Sequence, residues 1–206
     1  MRTDAFDYEL PQELIAQRPA SPRDAARLLV LDRASGEITD ATVRELPRFL
    51  SPGDLLVLND TRVMPARLVG EKSGTGGAVE VLLLDAKEHG VWEALVRPGR
   101  RLRPGAEVLF GGGALRARVV EVTPSGGRIL RFEWEGPSFE EVLHRLGEVP
   151  LPPYIKEKLD DPERYQTVFS REEGSKAAPT AGLHFTPELL ARLEARGVEI
   201  AYVTLH

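Results

Sequence analysis

Between Met64 and Trp134 the chain breaks into six short runs: ARLVG, AVEVLLL, VWEALV, AEVLF, LRARVVEV and RILRFEW. The segments between them are Ser73–Gly77, Lys87–Gly90, Pro98–Gly105, Gly111–Gly113 and Thr123–Gly127, each closed by glycine. Runs rich in Val and Leu at a spacing of roughly 8–12 residues, punctuated in this way, predict a small antiparallel barrel or sandwich. Gly74-Thr75-Gly76-Gly77 leads into a strand pattern and not into a helix. A phosphate-binding glycine loop needs a helix N-terminus after it, so this one is a hairpin tip.

The flanks read differently. Pro11 suits the first position of a helix carrying Leu14 and Ile15, stopped at Arg18-Pro19. Arg27–Leu31 and Glu37–Thr42 flank Ala34-Ser35-Gly36 as a hairpin, and a short helix follows over Val43–Leu50. Asp54–Leu58 is a continuous apolar run, which predicts a buried strand. Ser138 and Glu141 bracket the start of a capped helix through Leu146, and Thr186-Pro187 starts another that ends at Gly197. Val198–Leu205 reads as a final strand. A strand-rich block inside a mixed chain predicts an α/β domain (residues 1–62 and 135–206) with an inserted antiparallel β-barrel domain (residues 63–134).

Chemistry-bearing residues gather in one stretch, Tyr165–Phe185, YQTVFSREEGSKAAPTAGLHF. Tyr165, Gln166, Thr167, Ser175, Lys176, Thr180 and His184 supply donors, acceptors and one group titrating near neutrality. Pro179, Ala181 and Gly182 between them let a ligand approach the backbone. The same composition also suits an ordinary Pro/Gly loop. Asn59-Asp60-Thr61-Arg62 sits at the carboxyl end of the Asp54–Leu58 strand, where α/β sheets place ligand-binding groups, although Asn and Asp favour such corners anyway. Ser170–Glu173 reads as a solvated loop, and His89 and His144 as surface residues.

Charge is uneven. Arg62–Arg128 carries 11 Lys and Arg against 7 Asp and Glu, whereas the rest carries 16 against 25. A basic segment within a chain of net charge −5 is the asymmetry expected where one part faces a polyanion. There is no cysteine, which excludes disulfides, thiolate metal sites and thiol nucleophiles. No apolar run reaches the ~20 residues of a membrane span. Asp4, Asp7 and Glu9 stand where a signal peptide would be basic, so a cytoplasmic protein is expected.

The wording of several blocks is more specific than their composition. YQTVF followed by AAPTAGLHF, with PLPPYI upstream at Pro150–Ile155, is one such set. FDYELPQELIAQRP at Phe6–Pro19 and PGDLLVLNDTRVMPARL at Pro52–Leu68 are two more. Together they closely resemble the S-adenosylmethionine:tRNA ribosyltransferase-isomerase family of queuosine biosynthesis, across essentially the whole chain. The resemblance implies a β-barrel inserted into an α/β domain. It also implies transfer of the ribosyl part of S-adenosylmethionine to 7-aminomethyl-7-deazaguanine at the tRNA wobble position, giving epoxyqueuosine, adenine and methionine. S-adenosylmethionine is then a co-substrate, no metal or other cofactor is expected, and the chain is expected to act as a monomer.

On that reading His184, Asp60 and Thr180 form the catalytic set. Asn59, Thr61, Arg62, Tyr154, Tyr165, Gln166, Thr167, Pro179, Ala181, Gly182 and His206 form the substrate-binding set. His184 suits a general acid or base, or else a structural role bonding loop backbone. A sulfonium favours carboxylate and aromatic neighbours such as Asp60, Tyr154 and Tyr165. Arg97, Arg100, Arg101, Arg103, Arg116 and Arg118 are the expected tRNA contacts, since arginine suits phosphate recognition. Two features depart from the family: Lys176 stands where a small or apolar residue is expected, and the chain stops at Val203–His206, inside a segment the family continues. A tRNA-binding module without catalysis is therefore the alternative.

Overall fold

The computed structural model describes residues 2–206. In chain order the first strands are β1 (Arg27–Leu31), β2 (Ile38–Thr42), β3 (Leu55–Asn59) and β4 (Thr61–Val63). Six more follow: β5 (Arg67–Lys72), β6 (Ala78–Glu88), β7 (Val91–Arg97), β8 (Glu107–Phe110), β9 (Leu115–Val122) and β10 (Arg128–Trp134). The remainder holds helix α1 (Phe139–Leu146), β11 (Glu172–Ser175), helix α2 (Pro187–Ala195) and β12 (Glu199–Val203). These fall into two compact units. The first comprises the chain up to Leu58, Leu151–Val168 and Pro179–Tyr202; the second comprises Asn59–Pro150, Phe169–Ala178 and Val203–His206. The architecture is the expected one, a mixed α/β part with an inserted antiparallel β-barrel.

The barrel closes in the order β10-β7-β6-β5-β8-β9. Alternation decides what lies inside: along β9, Leu115, Ala117 and Val119 are buried while Arg116 and Arg118 are exposed. Leu68, Val81, Leu83, Val108 and Leu130 are fully buried with them in the interior. Closure leaves no room for a side chain at Gly70. A Cβ there would overlap the Leu109 carbonyl and fall 2.5 Å from the Phe110 ring. Helix α1 is capped as its sequence predicts, with the Glu141 amide donating to Ser138 Oγ at 3.1 Å. Its apolar residues Phe139, Val142 and Leu143 join the barrel core.

In the first unit β1 and β2 form the expected hairpin, with Arg27 opposite Thr42 and Leu31 opposite Ile38. The turn is held by Asp32, whose carboxylate accepts from the amides of Ala34 and Ser35, and by Gly36 at φ 75°. β3 pairs with β12. Three expectations change. Gln12–Leu14 and Val43–Arg48 are 3₁₀ turns and not α-helices; Pro47 inside the second has no amide to donate, so no α-helical ladder can pass through it. β3 is not buried on both faces: Leu55 and Val57 are 58% and 52% exposed, because the period of two turns them away from Leu58. Glu172–Ser175 is a strand, described below.

One buried charge stabilises the barrel rim. Arg128 is 7% exposed and donates to the carbonyls of Leu102 (2.6 Å), Gly99 (2.6 Å), Gly126 and Gly127 (both 2.8 Å). It ties together the irregular backbone of two loops, adding to the bonds that the Gly99 and Gly127 carbonyls accept from the Leu102 and Thr123 amides. Arg128→Met should lower stability by about 3 kcal/mol, since carbonyls stripped of a charged donor cost roughly 1–3 kcal/mol each and only some can be rehydrated. The urea midpoint measures this, and an unshifted midpoint would show that the loops do not need the arginine.

Candidate functional site

In the second unit three segments meet at Asp60, which is 4% exposed. Its amide donates to the Val203 carbonyl (3.0 Å), and its own carbonyl accepts from the amides of Arg171 (2.8 Å) and Glu172 (3.3 Å). Its carboxylate accepts from Arg171 (2.7 Å) and from the Thr204 hydroxyl (2.8 Å). These two bonds, Arg171 first, hold the Asp60 carboxyl below the usual carboxylate range. Around it, β4 pairs in parallel with β11, placing Thr61 opposite Glu172 and Arg62 opposite Glu173. Thr61 Oγ1 lies 3.0 Å from His206 Nδ1. Arg62 donates to the Ser170 hydroxyl at 3.1 Å, and the Thr61 amide to Asn59 Oδ1 at 3.0 Å.

The Ser170–Glu173 segment is thus part of the ordered framework and not a solvated loop. Its composition is poor for a strand, and pairing with β4 overrides that local preference. Lys176 is bonded to Asp85 of β6 at 3.0 Å. Ser175 closes a turn on the Ala177 backbone.

The first unit holds the other sequence-predicted residues. Arg23 organises them: its guanidinium donates to the carbonyls of Glu163 (2.8 Å), Gln166 (2.9 Å) and Leu183 (3.1 Å). One planar fork thereby ties Tyr165–Thr167 to the turn Thr180–His184. Burial, and then the neighbouring Arg164 charge, hold Arg23 below the usual arginine range. Gln166 and Thr167 are buried, and among the described residues Thr167 Oγ1 has no hydrogen-bond partner. Gly182 is buried, Pro179 half-buried, and Thr180, Ala181 and His184 are exposed. Tyr154 is 53% exposed, its backbone bracketed by Gln17, which donates to the Tyr154 carbonyl and accepts from the Lys156 amide.

The barrel arginines divide. Arg118 is paired with Glu107 at 2.6 Å, and Arg116 lies opposite Glu133 in the ladder. Arg97, Arg100, Arg101 and Arg103 stand at or near the surface. Among the described residues no carboxylate lies within ion-pairing distance of Arg100, Arg101 or Arg103. No group of three or more His, Asp or Glu side chains among the described residues could hold a metal ion.

The family model for queuosine biosynthesis proteins matches residues 3–206. The chain belongs to the queuosine biosynthesis protein family. Two curated relatives, from Symbiobacterium thermophilum and Moorella thermoacetica, are each 60% identical over all 206 residues. Another from Acetivibrio thermocellus is 57% identical. All three are named S-adenosylmethionine:tRNA ribosyltransferase-isomerase, and the chain spans 60% of their length. The crystal structure of an S-adenosylmethionine tRNA ribosyltransferase from Thermotoga maritima is 38% identical, covering 98% of this chain and 57% of that one, with a TM-score of 0.40.

Within this family member Arg23, Gln17, Arg171 and Thr204 are the residues that sequence reasoning missed. Arg23 stands in Ser21-Pro22-Arg23-Asp24, and its signal was a lone cation after two nearby prolines, too common to single out. The Asp60 bonds make a pH prediction. A carboxylate whose folded pKa is depressed adds stability above its unfolded value of about 3.9, and loses it as pH falls through the folded value. Arg171→Ala should therefore lower stability at neutral pH and flatten its decline below about pH 4. Urea midpoints measured across that range check this; parallel curves for the two proteins would place the acid-sensitive group elsewhere.

Proposed function

We propose that this chain carries out the reaction its relatives are named for, moving and isomerising the ribosyl part of S-adenosylmethionine onto tRNA. The observation that carries the reading is 60% identity over every one of its 206 residues to proteins so named. The acceptor on this reading is 7-aminomethyl-7-deazaguanine at the wobble position, and epoxyqueuosine, adenine and methionine are the products. The reaction belongs to the cytoplasm, where tRNA is, with the chain acting as a monomer and without a metal.

The chemistry needs a proton removed beside the sulfonium and an acid for departing adenine. His184 is exposed and, among the described residues, its ring makes no hydrogen bond, which favours the acid or base role over bonding loop backbone. Thr167 offers a buried hydroxyl with no partner among the described residues, a group that a bound substrate would satisfy. Thr180 sits on the same 3₁₀ turn as His184. The ionised Asp60 is committed to Arg171 and Thr204, so it suits counter-charge and positioning better than proton abstraction. Asn59, Thr61, Arg62 and His206 flank it, while Tyr154, Tyr165, Gln166, Pro179, Ala181 and Gly182 remain the proposed substrate contacts of the first unit.

Released adenine in a reaction holding S-adenosylmethionine and tRNA bearing the aminomethyl base tests the reading directly. No adenine, with tRNA still bound, would favour the non-catalytic binding module. His184→Ala should lower turnover by about 100-fold or more, the usual scale for a general acid or base, and near-normal turnover would leave a structural histidine.

Arg97, Arg100, Arg101, Arg103, Arg116 and Arg118 are the proposed tRNA contacts. With no carboxylate among the described residues to pair Arg100, Arg101 or Arg103, this loop is the stronger half, because an uncompensated cluster gains most from an anion. Replacing these three with Ala should raise the apparent KM for tRNA and flatten the log–log salt dependence of binding by roughly one unit for each phosphate no longer engaged. An unchanged slope would mean that tRNA docks elsewhere.

A further inference from the structure

Beside the β4–β11 pair, within the second unit, lies a cavity of about 520 Å³ that is lined by none of the substrate contacts proposed above. That volume is in the range of small-molecule sites. Its floor is apolar and partly aromatic: Met64, Trp92, Phe139 and Leu143. Trp92 and Phe139 lie 5.9 Å apart between centroids with planes 30° from each other. Phe139 is 4% exposed, whereas Trp92 is only partly buried and presents ring surface to the cavity.

The rim is charged and organised. Lys176 Nζ reaches Asp85 at 3.0 Å, and His144 Nε2 reaches Glu173 at 3.2 Å. Both pairs tie the β11 segment to the barrel side, one at β6 and one at α1. Glu140, on the first turn of α1, adds a third carboxylate. Three carboxylates face one ammonium and one imidazole, so the rim keeps net negative charge whichever protonation state His144 takes. Asp85 is already neutralised by Lys176, which leaves Glu140, and Glu173 whenever His144 is neutral, as the sources of the field. Gly174, also in the lining, packs against His206: a Cβ there would fall 2.9 Å from that ring.

We propose that this cavity binds a planar heteroaromatic ring carrying a cationic arm, with the ring against Trp92 and the cation facing Glu140 and Glu173. Flat rings gain from stacking on indole, and a cation gains from both carboxylate and ring face. The assignment rests on the proposed function, in which two molecules have this chemistry. S-adenosylmethionine joins adenine to a sulfonium and an ammonium, and the acceptor base joins a deazaguanine to an aminomethyl group.

The test is calorimetric titration of the 206-residue chain with four probes: S-adenosylmethionine, the free 7-aminomethyl-7-deazaguanine base, and their less cationic counterparts S-adenosylhomocysteine and guanine. One of the first two should bind at least about tenfold more tightly than its counterpart, and which one does so identifies the source. Glu140→Lys, a change at an exposed position that folding should tolerate, should abolish that preference, and Glu173→Gln should reduce it. In a Trp134→Phe background, where Trp92 is the sole indole, the same ligand should change the fluorescence. Preference for the cation that survives Glu140→Lys and Glu173→Gln, or binding of neither cationic probe, would overturn the assignment. Adenine release measured separately keeps the two ideas apart: activity with an unresponsive cavity refutes only the cavity, and selective binding without activity refutes only the reaction.

Discussion

Asp60 is where the second unit is joined. Its amide, carbonyl and carboxylate together accept or donate five hydrogen bonds, to Val203, Arg171, Glu172 and Thr204. A buried carboxylate is unfavourable unless paired and bonded, and here one guanidinium and one hydroxyl fill that need. β4 is thereby held in one register with β11 and with the stretch from Val203 to His206, both far along the chain from it. The positions of Thr61, Arg62 and Glu173 follow from that register, and with them the wall of the cavity beside β11.

Arg23 does comparable work in the first unit by another route. It bonds backbone carbonyls and needs no carboxylate, so it fixes backbone between elements where no ladder exists. Arg128 repeats the device at the barrel rim. At Arg23 and Arg128 an ionised side chain replaces regular secondary structure as the partner of loop backbone. Loops so held keep their side chains uncovered, and exposed His184 on its short turn is an instance.

Lys176 ties the segment after β11 to the barrel. Its charge is met by Asp85, a residue of β6 far away in sequence. The burial of α1 against the barrel works in the same direction, since Phe139 contributes at once to the core and to the cavity floor.

Much of the fold was legible because its signals are local. Six runs of alternating residues and their glycine turns predict β5 to β10, for the period of two needs no distant partner to be read. Ser138 and Thr186 mark helix starts by a bond three residues on. The polar set from Tyr165 to His184 and the Asn59–Arg62 tetrapeptide were visible from composition, and the family from the wording of their motifs. What only tertiary structure decided was partnership. Glu172–Ser175 has no strand propensity and becomes β11 because β4 offers it a ladder. Leu55 and Val57 look like core and stand exposed, because burial depends on which strands lie alongside. Arg23, Arg171 and Thr204 are ordinary residues in sequence, and their roles arise from bonds spanning 143, 111 and 144 positions. Sequence carries the propensity of each segment; the long-range bonds that turn segments into a site exist only once the chain has closed on itself.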